Sequence, residues 1–77
     1  MDILFQVKEI LNEVKPTKDL ASVNDIVEGG YIDSFELMSL IMTLNERFDI
    51  EISLDDMTPE NFNTVDSIVA MVERLKA

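Results

Sequence analysis

The chain has 77 residues with no histidine and no cysteine, and 16 acidic residues against 6 basic ones give it a formal charge of −10. A chain of this length makes one small domain, near the size at which cores need staples, and without cysteine it has neither a disulfide nor a thiolate metal site; packing of its 47% hydrophobic residues must stabilise it. The charge argues against nucleic acid and anionic membrane surfaces as partners, and in favour of basic protein surfaces.

Asp2 is placed to cap a first helix in which Ile3, Val7, Ile10, Leu11 and Val14 recur at three- and four-residue spacing, with Pro16 stopping it. Residues 16–32 then form a connection longer than most loops in compact domains, so it should be pinned or functional. Leu20, Val23, Ile26, Val27 and Ile32 can pin it, and Gly29-Gly30 gives the backbone freedom for a sharp turn into the next helix.

The second helix is predicted from about Ser34 to Phe48, with Asp33 as N-cap and Glu36 completing a capping box. At about 100° per residue, Leu37, Leu40, Ile41, Leu44 and Phe48 make one stripe, while Phe35, Met38 and Met42 make another roughly 130° away. The second stripe is either extra core or an apolar docking surface rimmed by acid, and Glu36 points away from the core stripe. Ile50, Ile52 and Leu54 alternate with polar residues, which reads as an extended link with one face inward. A short third helix follows, capped by Ser53 or Thr58 around Pro59. The last helix begins near Thr64, repeats Val65, Ile68, Val69, Val72 and Leu75, and carries Arg74 and Lys76 where cations suit its dipole. The expected fold is therefore all-α: a four-helix bundle, one domain over residues 1–77, with a long loop between helices one and two and a short third helix.

The charge is unevenly spread. From Asp25 to Asp66 there are 11 acidic residues and one basic residue, Arg47, whereas the two ends balance. Lacking His and Cys, the chain has no conventional base for a serine and no thiolate nucleophile, so it is not expected to be an enzyme. Asp49, Glu51, Ser53, Asp55 and Glu60 fall at calcium-loop spacing, but the position that needs glycine is Leu54, so no metal site is assigned. No apolar run approaches the roughly 20 residues of a membrane span, and Met1-Asp2 followed by a mixed pattern is not a secretory signal. A cytoplasmic monomer is expected.

Ser34 stands apart from the other hydroxyls. Asp33 already serves as cap, which leaves the Ser34 hydroxyl free at the positive end of a helix dipole, where a phosphate ester is favoured. The stretch "EGGYIDSFELMSLI" resembles the phosphopantetheine attachment region of acyl carrier proteins, whose core is an Asp-Ser pair followed by an apolar residue. "LNERFDIEI" and "NFNTVDSIVAMVERL" extend the likeness over most of the chain.

The resemblance implies that Ser34 anchors a 4'-phosphopantetheine arm derived from coenzyme A, whose thiol holds acyl cargo as a thioester. It also implies a docking face of Phe35, Met38 and Met42 with Asp33 and Glu36. The partners implied are a phosphopantetheinyl transferase, an acyl- or aminoacyl-loading ligase, and acyl-transferring or synthase enzymes with basic surfaces, the fatty-acid-synthesis pathway among them. Ser39, Asn45 and Arg47 depart from positions often acidic in fatty-acid-synthesis carriers, and "LNERFDI" is similar to D-alanyl and other aminoacyl carriers. The resemblance leaves fatty acyl, polyketide or aminoacyl cargo open: an acyl carrier is expected, with a D-alanyl or other aminoacyl carrier loaded by an adenylating ligase as the alternative. The rival of another class is an acidic helical adaptor or cation-binding protein without an arm. For apolar cargo, Met38, Met42 and Met71 are expected to repack around the guest.

Overall fold

Asp2 opens helix α1 (Ile3–Val14) by accepting the Leu4 N–H at 3.1 Å, in a computed structural model that describes residues 2–77. The 3.6-residue spacing puts Val7, Ile10 and Leu11 inside, whereas Phe5, two steps from Ile3, is turned to solvent and 54% exposed. Helix α2 (Ser34–Phe48) buries Leu40, Ile41, Leu44 and Phe48, with Leu37 half-buried. Helix α3 (Pro59–Phe62) is a single turn that buries Phe62. Helix α4 (Val65–Lys76) starts at a Thr64–Ser67 capping box and buries Val65, Ile68, Met71 and Val72. No strand occurs among the described residues, so the expected all-α bundle of four helices is the observed one. Helix α1 packs on α2 and α4, and α3 packs on α4.

The long connection contains a 3-10 turn at Leu20–Ser22 and is pinned by buried Leu20, Ile26 and Ile32, with Val23 and Val27 half-buried. Its two glycines serve different needs. Gly30 has φ +74°, a left-handed conformation that side chains resist, and a Cβ on Gly29 would lie 2.7 Å from the Asp25 carbonyl oxygen.

The segment after α2 departs from expectation. Asp49 ends the helix in the left-handed conformation, which Asp tolerates better than most residues, and Ile52 is buried, but Leu54 is 83% exposed rather than inward. The cause is a second 3-10 turn at Leu54–Asp56. Asp56 accepts from the Ser53 hydroxyl at 3.0 Å and from its N–H at 3.3 Å, and this curls the chain and ends the alternation. The single short helix expected here is thus two turns, one begun by Ser53 and one by Thr58, so both cap candidates start an element.

Arg74 of α4 donates to Asp56 at 3.0 Å, and that bond, with those from Ser53, holds the Asp56 carboxyl below the usual carboxylate range. A lowered folded value makes the contribution full above the unfolded value and lost as pH falls through the folded one. We expect Arg74→Met to move the Asp56 titration up toward the ordinary range in a carbon-detected NMR titration. It should also flatten the acid limb of the melting-temperature profile.

Candidate functional site

The site is built around the start of α2. Asp33 accepts the Glu36 N–H at 2.8 Å, and the Glu36 carboxylate accepts the Asp33 N–H at 3.0 Å, a reciprocal capping box. Ser34 is therefore left out of the cap. It is the first residue of the helix and is exposed, where a negative group is favoured by roughly 0.3–1 kcal/mol. We expect Asp33→Ala to lower stability by about 1 kcal/mol, a melting-temperature fall of about 4–8 °C. A fall no larger than that of an exposed control would mean that the box adds nothing.

Glu36 is not a free member of the acidic face. Besides the cap, its carboxylate lies 3.5 Å from Lys15 Nζ, and its side chain is only 25% exposed. It faces the end of α1 instead of pointing outward, so a charge reversal there would disturb the helix start before any partner was met.

The second stripe of α2 is solvent-facing. Phe35, Met38 and Met42 are 79%, 48% and 63% exposed, and neither the long loop nor α4 covers them. Exposed Glu46, one turn beyond Met42, prolongs this face, and the sequence reading passed over it although the four-residue spacing marks it. The departures at Asn45 and Arg47 have internal causes. Asn45 Oδ1 accepts the Ile52 N–H at 3.0 Å, and Arg47 reaches Glu9 and Glu13 of α1 at 3.9 and 3.5 Å. The one cation of the acidic middle is thus turned toward α1.

Two grooves flank Ser34. One, of about 500 Å³, runs between α1 and α2 and is lined by Glu13, Val14, Asp33, Phe35, Glu36, Ser39 and Thr43. The other, of about 300 Å³, includes Ser34 itself with Val27, Ile32, Asp33 and Leu37. The methionines expected to shelter a guest line neither. Met71 is 1% exposed in the core, and Met38 and Met42 lie on the outer stripe.

Residues at calcium-loop spacing do not converge. Leu54 stands where glycine is needed, Glu60 belongs to α3, and among the described residues no three acidic side chains are grouped to hold an ion.

A family model described as the phosphopantetheine attachment site matches residues 3–72. The D-alanyl carrier protein of Staphylococcus saprophyticus is 33% identical over 78 residues, covering 99% of this chain and 100% of that relative. That of Lactobacillus acidophilus is 33% identical over 78 residues, covering 99% and 98%. A Bacillus cereus D-alanyl carrier protein is 32% identical over 74 residues, covering 92% of each. The family match runs from the first residue of α1 into the last turns of α4, and it supports a carrier over an adaptor without an arm. The chain belongs to the phosphopantetheine-attachment family, carrier proteins that are joined covalently to 4'-phosphopantetheine and do not themselves catalyse.

Proposed function

We propose that Ser34 bears the arm and that the protein holds a small aminoacyl group, D-alanyl as in the relatives' names, for transfer between partner enzymes. The observation that carries this reading is the exposed Ser34 hydroxyl at the first residue of a long helix whose cap is already filled by Asp33. The residues around it suit a phosphodiester. Asp33 fixes where the helix begins, its first-turn amides favour negative charge, and Lys15 offsets the Glu36 carboxylate. When attached, the arm supplies the thiol that this cysteine-free chain lacks.

A phosphopantetheinyl transferase would install the arm and an adenylating ligase would load it. The cytoplasm, which supplies coenzyme A and ATP, is the compartment this reading requires. No helix among the described residues is long and apolar enough to cross a membrane. An acyl chain is the second reading, favoured by apolar Val27, Ile32 and Leu37 in the groove beside Ser34. Intact mass separates the two. After arm installation, a D-alanine-adenylating ligase with ATP and D-alanine should add one D-alanyl group. Loading by an acyl-adenylating ligase with a fatty acid, with none from D-alanine, would favour the second reading.

The face formed by Phe35, Met38, Met42 and Glu46 is the docking surface in this account. Phe35→Ala should leave the melting temperature unchanged while raising the KM of the loading ligase about tenfold, the effect of losing about 1.4 kcal/mol at an apolar anchor. Association should also slow as salt rises, because the Debye length falls from about 10 Å at 0.1 M to about 3 Å at 1 M. A salt-indifferent rate and an unchanged KM would remove this face from the account.

A further inference from the structure

Asn63, the residue after α3, makes four hydrogen bonds to one stretch of the long loop. Its carbonyl accepts the Ile26 N–H at 3.0 Å, and its side-chain Oδ1 accepts the N–H groups of Val27 and Glu28 at 3.0 and 3.1 Å. Its Nδ2 donates to the Glu28 carboxylate at 2.8 Å. The three amides are the opening N–H groups of a turn in which Gly29 N–H donates to Asp25 O at 2.6 Å and Gly30 N–H to Val27 O at 3.1 Å. Such opening amides have no partner within their own turn, and Asn63 serves all three.

The clasp lies next to Ser34. Val27 is a wall of the groove that contains Ser34, and the groove also reaches buried Ile32. Ile26, one of the clasped residues, and Phe62, which precedes Asn63 in the chain, are 0% and 1% exposed. Ile26, Ile32 and Phe62 belong to one buried core, so a chain that deepened the groove past Val27 toward that core would have to displace the loop stretch that Asn63 holds. No methionine lines the groove to yield in its place.

Resting on the carrier reading, we infer that Asn63 is a positioning residue that limits cargo size. By fixing the amides of Ile26, Val27 and Glu28, it keeps the groove beside Ser34 closed toward the core, so a small aminoacyl group is carried outside and a long acyl chain finds no shelter. Unfastened, the loop can move aside without breaking a helix, and burial of the chain's CH₂ groups then stabilises the loaded form.

The test compares three forms of the full chain, bearing the bare arm, a D-alanyl arm and an octanoyl arm, each installed by a phosphopantetheinyl transferase from the matching coenzyme A derivative. In the native protein all three should melt within about 1 °C of one another. In Asn63→Ala the octanoyl form should melt about 4 °C or more above its own bare-arm form, and the D-alanyl form should show no gain. A residue that merely holds the fold together would lower all three equally, and that result overturns the inference. So does an octanoyl gain already present in the native protein.

If Asn63→Ala does not fold, Asn63→Asp decides the matter. It keeps the acceptors for Val27 and Glu28 but sets its carboxylate against that of Glu28. The octanoyl gain should emerge in Asn63→Asp and vanish again in Asn63→Asp/Glu28→Gln, where the new amide donates across the clasp. Absence of that rescue overturns the inference. Intact mass keeps the two levels apart: a native chain that takes no arm refutes the carrier reading and this inference with it, whereas an arm without the octanoyl pattern refutes the clasp alone.

Discussion

Ser34→Ala is expected to abolish attachment of the 4'-phosphopantetheine arm, and with it every thioester, while leaving the fold in place. The two halves of that result have separate causes. In the proposed attachment the Ser34 hydroxyl oxygen is the atom joined to the arm, and alanine has none. The fold does not need it, because the capping box joins Asp33 to Glu36 and leaves the exposed Ser34 side chain out. The stability change should stay within about 0.5 kcal/mol, the range for exposed substitutions away from special features. Intact mass and a thermal melt on the same sample check both halves. A fall near the roughly 1 kcal/mol of a lost N-cap would mean that Ser34 supports the helix, contrary to its place here.

The second large effect belongs to Phe62. It is the main apolar anchor of a helix only four residues long, and it is 1% exposed against α4. Phe62→Ala should cost roughly 3–5 kcal/mol. At roughly 0.05–0.15 kcal/mol per residue the whole chain has about 4–12 kcal/mol to lose, so the melting temperature should drop by about 12 °C or more. Leu54→Ala is the control. Leu54 is also a large apolar residue beside a short turn, but at 83% exposure its loss should change stability by less than about 0.5 kcal/mol. Equal effects from the two substitutions would contradict this division of the segment into an anchored and an unanchored turn.

The contrast between those residues also shows what can be read from the chain alone. Helices α1, α2 and α4 were legible because each is at least 12 residues long, repeats its apolar positions at helical spacing, and starts at Asp2, Asp33 or Thr64 with the side-chain oxygen accepting an amide. Leu54 was misread because two alternations at Ile50 and Ile52 suggest a third, and nothing in so short a run reports that Asp56 bends the chain back onto Ser53. A four-residue helix has too few positions for any period to declare itself.

The candidate site divides in the same way. Ser34, its cap and the outer stripe lie within one helix and are fixed by local rules, although whether another element covers that stripe is decided only by packing. Glu36 has one partner three residues away, which the pattern revealed, and another at Lys15, 21 positions distant, which it could not. Asn63 gave no local signal. Its side-chain partners lie 35 and 36 positions away in sequence and meet it only in the folded chain.

The proposed joining of the arm at Ser34 is read out by fragment mapping of the native protein after reaction with coenzyme A and a phosphopantetheinyl transferase. Tandem mass spectrometry should find the phosphopantetheine mass on the fragment containing Asp33-Ser34-Phe35, with backbone cleavages on either side of Ser34 confining it to that residue. The arm on Ser22, Ser39, Ser53 or Ser67, or no added mass at all, would contradict attachment at Ser34.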